Sequence, residues 1–184
     1  MTEQKFPTEI VDLPSKGHFY PEDNPLSSGK IELRYMTARD EDILTSVNLI
    51  EQGKALDKLL QALIVDKNID YNDLLVGDKN ALMVGTRVLG YGKDYQVEII
   101  DPDTKERVET SIDLTKLKHK KINKKVYKDG NKFLFELPNS KRKVEFKLLT
   151  QGDEVEIQKI LLDYKKVEQL TGVSNELTTR FKYS

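Results

Sequence analysis

The sequence predicts an α+β fold: a helical N-terminal half packed with an antiparallel β-meander of about four to five strands, then a C-terminal helix, with an extended arm in front. Three observations carry this. Apolar residues recur at helical spacing in the first half, as in Leu56, Leu59, Leu60, Leu63 and Ile64 at i, i+3, i+4, i+7 and i+8. Past residue 93 the apolar period drops to two, the alternation of half-buried strands. The prolines Pro7, Pro14, Pro21 and Pro25 crowd residues 1–30, where each fixes its own φ, removes a donor and pushes its predecessor toward extended geometry.

In chain order, residues 1–30 read as a proline-rich extended arm with apolar anchors at Phe6, Leu13, Phe19 and Tyr20. Residues 31–92 form a strand-plus-helix segment. Ile31, Leu33 and Tyr35 alternate with Glu32 and Arg34 in a strand over 31–36. Thr37 then caps a helix whose first turn carries Asp40. A second helix follows Gly53, and a third starts near Asp78, carries Leu82, Val84, Val88 and Leu89, and stops at Gly90.

Residues 93–149 form the β region. Tyr95, Val97 and Ile99 turn through Asp101-Pro102-Asp103-Thr104-Lys105 into Val108, Thr110 and Ile112. A second meander runs 125–127, the Asp129-Gly130 turn, 133–137, the Pro138-Asn139-Ser140 turn and 144–148. Residues 150–184 are helical: Thr150 caps a helix carrying Val155, Ile157, Ile160, Leu161, Tyr164, Val167 and Leu170, ended near Gly172. Ser174, Leu177 and Phe181 restart a helix that nothing closes, as expected of a very short helix or a shortened chain.

Composition narrows the function classes. A chain of 184 residues can bury about 70% of its unfolded surface, enough for a real core. Thirty Lys and Arg against 31 Asp and Glu give no global charge that would draw the chain to nucleic acid or to a membrane. With no cysteine, disulfides and thiolate metal sites are excluded, in keeping with a reducing cytoplasm. Residues 1–10 lack the basic and apolar regions of a signal peptide, and no apolar run approaches the roughly 20 residues of a membrane span, so a soluble chain is expected.

Motifs of chemistry are sparse. His18 and His119 have no second ligand at zinc spacing. No serine sits in a nucleophile elbow, and Gly90-Tyr91-Gly92 lies between a helix and a strand, the reverse of a dinucleotide loop. Asp40, Glu41 and Asp42 read as an acidic first turn, and Pro14-Ser15-Lys16-Gly17 lacks the glycine-rich lead of a phosphate cradle. No catalytic, cofactor-binding or metal residue is therefore assigned. The one basic tract holds Lys116, Lys118, Lys120, Lys121, Lys124 and Lys125. It could contact phosphates, with Tyr127 stacking a base, but it has no arginine and no interleaved aromatics. A nucleic-acid-binding module is thus the second reading.

The order of several short words resembles the T-even bacteriophage baseplate protein family. They are Leu13-Pro14-Ser15-Lys16-Gly17, Tyr20-Pro21, Ile31-Glu32-Leu33-Arg34 with Thr37-Ala38, Asp40 to Ser46, Leu59-Leu60 with Ile64-Val65-Asp66, Leu74-Leu75 with Gly77-Asp78-Lys79-Asn80, and Gly90-Tyr91-Gly92 with Tyr95. The likeness covers residues 13–150. Many relatives carry a Cys-Pro-x-Cys turn in the first hairpin; Asp101 and Thr104 stand where those thiols would be, which removes a metal knuckle here. Relatives also tend to continue past this C-terminus.

The resemblance implies a baseplate hub or hub-assembly protein of a contractile tail, without enzyme activity or cofactor. It implies other baseplate hub proteins as partners, in the infected host's cytoplasm and in the virion tail. On that reading the arm is the partner-binding element, through Phe6, Leu13, Lys16, Gly17, Phe19, Tyr20 and Pro21. A proline-stiffened arm loses little entropy on docking and offers apolar anchors. Removing residues 1–28 should then leave a folded domain that binds partners poorly, whereas loss of the fold would make the arm structural.

Overall fold

The computed structural model describes residues 6–122 and 130–184, with the backbone alone for 166–171. The expected strand over 125–127, Asp129, Tyr127, Lys124, Lys125 and the side chains of Val167 and Leu170 lie outside the described residues. The α+β class holds: helices and three small antiparallel two-stranded sheets. The hairpins do not merge into one meander, because β3 pairs only with β4 and β5 only with β6 among the described residues.

The chain forms two compact units that alternate along the sequence: 1–14, 31–66 and 80–121 make the first, and 15–30, 67–79 and 122–184 the second. In the first unit β1 (Thr8–Asp12) pairs with β2 (Lys30–Arg34). On its other side β2 bridges Leu33 to Ile64, and Val65 N–H donates to the Glu32 carbonyl at 3.1 Å. The expected alternation is present: Ile31 and Leu33 are buried while Lys30 and Glu32 face solvent.

Helices α1 (Ala38–Thr45), α2 (Val47–Glu51) and α3 (Ala55–Leu63) follow, and α1 packs on both α2 and α3. α3 buries Ala55, Leu59, Leu60 and Leu63, while Leu56 in its first turn stays 53% exposed. Helix α4 (Val76–Tyr91) buries Leu82 and Thr86. It is followed by the ribbon β3 (Asp94–Ile100) and β4 (Arg107–Asp113) in seven-pair register, with Tyr95 opposite Ile112, Val97 opposite Thr110 and Ile99 opposite Val108. Asp101 closes the turn by accepting the N–H groups of Asp103 and Thr104 at 2.8 and 3.0 Å, so its carboxylate shapes the loop.

In the second unit β5 (Phe133–Glu136) pairs with β6 (Lys143–Phe146). Helix α5 (Gln151–Thr171) packs on α6 (Glu176–Tyr183) and on the 3₁₀ turn Tyr71–Asp73. A backbone clasp joins the start of α5 to the start of α4: Val76 N–H donates to Leu149 O at 3.0 Å, and Gln151 N–H to Leu74 O at 2.7 Å. Leu74, Leu75, Tyr71, Leu26 and Ile157 are buried here.

One device recurs in both units. Where β2 leads into α1, Thr37 N–H and Oγ1 donate to Asp40 at 2.9 and 2.8 Å, and Arg34 grips the same carboxylate through two bonds of 2.7 and 2.8 Å. Where β6 leads into α5, Thr150 N–H and Oγ1 donate to Asp153, whose own N–H returns to Thr150 Oγ1, and Lys147 reaches both carboxylate oxygens at 2.8 and 2.9 Å. A cation three residues before the threonine and an aspartate three after it thus lock a strand-to-helix joint.

The arm departs most from its expectation. It contains β1, and Ser15–Lys30 coils into successive turns, with His18 N–H to Ser15 O, Tyr20 N–H to Gly17 O and Asn24 N–H to Pro21 O. Pro25 opens a 3₁₀ turn over Pro25–Ser28, capped by the Asn24 side chain. Prolines set turns as readily as extended runs, and here buried anchors decided for turns.

Candidate functional site

At the centre of the second unit sits Asp78, in the first turn of α4 and almost fully buried. Its Oδ1 accepts Ser15 N–H at 2.9 Å and its Oδ2 accepts the Tyr20 hydroxyl at 2.6 Å; that hydroxyl in turn accepts Leu75 N–H at 3.0 Å. Burial, and then the bond to the Asp78 carboxylate, push the Tyr20 phenol far above its ordinary pKa. Ser15 Oγ accepts Gly17 N–H at 3.2 Å. Gly17, at φ +78°, leaves no room for a β-carbon against the Ser27 carbonyl. The Ser15-Lys16-Gly17, Tyr20-Pro21 and Gly77-Asp78 words, far apart in sequence, are therefore one hydrogen-bonded node.

That placement divides the arm's proposed contact residues. Leu13, Phe19 and Tyr20 are buried in the chain's own core, and Gly17 is enclosed by backbone, so none of these four is a free surface anchor. Lys16 and Pro21 are exposed, and Phe6, 45% exposed, lies under the Arg34 guanidinium at 5.8 Å. Sequence alone could not separate the two groups, because a buried and a docking aromatic look alike until their neighbours are known.

Beside the node is a cavity of about 520 Å³, walled by Phe19, Tyr20, Pro21 and Leu75 and rimmed by Asp73 and Lys147. The Asn24 amide donates to Asp73 at 2.9 Å, and Lys147 is held by Asp153, so the rim charges are already engaged. On one side Phe19 meets Phe133 edge-on at 5.7 Å, and Phe133 stacks on Phe146 at 5.2 Å. The β5–β6 ribbon is thereby anchored at one end, while Phe135, on the same strand face, remains 53% exposed.

The β3–β4 ribbon carries a second apolar face, made of Tyr95, Val97, Ile99, Val108, Thr110 and Ile112. Ile99 is 49% exposed, and Tyr95, Val108 and Ile112 are exposed with it. At the base of this face Arg87 lies over Tyr91 at 5.1 Å and Tyr95 at 5.7 Å. Arginine and tyrosine on an apolar surface are the composition of binding hot spots.

The shifted acids are tied up in structural roles. Arg34 holds Asp40 well below the usual carboxylate range. Burial would raise Asp153, but Lys147 and the Thr150 donors outweigh it and bring it down. Backbone N–H groups of the turn lower Asp101. Among the described residues no group of three or more His, Cys, Asp or Glu is placed to hold a metal, and no helix is long and apolar enough to cross a membrane. His18 is half-buried, and His119, Lys116, Lys118, Lys120 and Lys121 are exposed.

The chain matches the model of the family described as T4 bacteriophage base plate protein, over residues 7–177. It belongs to that family. No curated protein and no solved structure matches the chain. Base plate family membership gives the chain a phage base plate role, with phage structural proteins as its partners and the virion tail as its place. The match takes in the node, both strand-to-helix joints and both hairpins.

Proposed function

We propose that this base plate protein is a hub subunit or hub-assembly factor that works by binding other hub proteins and makes or breaks no bond. One observation carries the reading: two ordered hairpins keep apolar faces in water, Ile99 and Val108 on one and Phe135 on the other. A two-stranded ribbon is marginal by itself, and ordered apolar faces are a common mark of protein-binding surfaces. Lys16 and Pro21, exposed on the Ser15–Lys30 coil, are further contact candidates. That the shifted acids sit in caps, turns and buried bonds supports a binding role over a catalytic one.

Pull-down of hub proteins by the full chain tests the reading, with Ile99→Lys and Phe135→Lys as variants on solvent-facing positions. Both should fold, by circular dichroism, and lose hub capture by tenfold or more. Unchanged capture by both variants rejects the ribbon faces as the contact. Mass spectrometry of purified particles beside assembly intermediates then separates a permanent subunit from an assembly factor.

A further inference from the structure

We infer that two copies of this chain pair through the outer edge of β4, antiparallel about a twofold axis at Thr110. The pairing does not depend on a hub role. Among the described residues β4 hydrogen-bonds only to β3, and none of them pairs with its outer edge. That edge lacks several of the usual protections: its seven residues contain no proline and no lysine, the unbroken register leaves no bulge, and its three charges, Arg107, Glu109 and Asp113, are of both signs, so a second strand can match them.

The hydrogen bonds flanking the ribbon fix which groups face outward. Leu114 N–H donates to Lys93 O and Asp101 N–H to Glu106 O, so Val108, Thr110 and Ile112 bond inward to β3. Arg107, Glu109, Ser111 and Asp113 therefore direct their N–H and C=O groups to the outer edge. An antiparallel mate must pair outward residues with outward residues, which leaves a short series of registers.

Overlap and charge choose among them: only axes at Glu109, Thr110 and Ser111 pair five or more of the seven residues, and charge separates these three. With the axis at Thr110, Arg107 faces Asp113 of the second copy, Glu109 faces Ser111, Val108 faces Ile112, and Thr110 faces itself. Moving the axis to Glu109 sets that carboxylate against its own copy, and moving it to Ser111 sets Glu109 against Asp113. Like charges directly opposite destabilise a strand pair. The β3 edge offers no such match, since its outward residues Asp94, Gln96, Glu98 and Ile100 carry carboxylates and no cation. Pairing at β4 joins the two ribbons into one four-stranded sheet whose apolar faces run together.

A seven-residue strand is about 24 Å long, so edge pairing alone covers much less than the roughly 800 Å² per partner of a standard interface. The dimer is therefore weak and concentration-dependent in solution, and a covalent trap reads it best. The chain has no cysteine, so one introduced thiol is unique. Opposed residues of a non-hydrogen-bonded pair lie about 4.5 Å apart at Cα, within disulfide reach.

Under mild oxidation full-length Thr110→Cys should run mainly as a disulfide dimer, while Ser111→Cys at the same concentration stays monomeric. Adding Arg107→Glu to Thr110→Cys should cut the dimer yield roughly five- to tenfold, through two repulsive pairs per dimer. Should Thr110→Cys fail to fold, a mixture of Val108→Cys and Ile112→Cys chains should cross-link while neither does so alone. A Thr110→Cys yield no higher than that of Ser111→Cys, or a Ser111→Cys dimer in its place, overturns the pairing, as does a mixture that stays monomeric.

Discussion

The Tyr20 hydroxyl donates to Asp78 and accepts from Leu75 N–H, so its loss strands both partners in a buried place. Tyr20→Phe is expected to cost about 2–4 kcal/mol, since a carboxylate and a backbone N–H lose a partner together. Denaturant melts of the two chains measure it. The pH dependence has a definite sign. The folded phenol titrates above the unfolded one, so its contribution is whole below the ordinary tyrosine value, about 10, and declines as pH rises past it. Wild-type stability should fall in that alkaline range more steeply than that of Tyr20→Phe. Gly17→Ala tests the same node from the backbone side. It forces a side chain into positive φ and against the Ser27 carbonyl, and a loss of at least about 2 kcal/mol is expected in the same melts.

At the scale of elements, the Arg34–Thr37–Asp40 joint sets where α1 begins. Asp40→Asn should lower stability by about 1–3 kcal/mol at neutral pH, by leaving Arg34 without its charge partner. Here the folded carboxyl titrates below the unfolded one. Its contribution is thus full above the ordinary aspartate value, near 4, and is lost as acid protonates the folded group. Acid melts of wild type should converge on those of the variant. The arm supplies a larger test. Removing residues 1–28 takes away Leu13, Ser15, Phe19, Tyr20 and Leu26, all buried, so the truncated chain is expected to lose its cooperative unfolding transition. A truncated chain that still melts cooperatively would return the arm to the role of a detachable docking element.

At the scale of the whole molecule, each compact unit is assembled from three separated stretches, so neither is a continuous piece of chain. The fragment 122–184 keeps Phe133 and Ile157 but lacks Phe19, Tyr71, Leu74 and Leu75, which belong to the same unit. It should show residual helix by circular dichroism and no sharp thermal transition. Most of the elements were nonetheless legible from one end of the sequence to the other. The Thr37 and Thr150 caps, the α3 stripe, both hairpins and the α+β class follow from local periodicity and local bonds. β1 was missed because prolines on either side masked five residues of strand, and α2 because it is one short turn with no buried face. The doubled Arg/Lys-Thr-Asp spacing was present in the sequence as a countable pattern, and only its geometry revealed that it is one device used twice.

By itself the sequence determined most of what is local: where the longer helices start, where the hairpin strands alternate and turn, and the likeness to the base plate family. Tertiary structure alone decided which aromatics are core and which meet solvent, because burial depends on neighbours distant in the chain. Tyr20 shows the difference. Its ring and hydroxyl suit a docking surface equally well, and only a carboxylate 58 positions later, folded to within 2.6 Å, makes it a pillar of the chain's own interior.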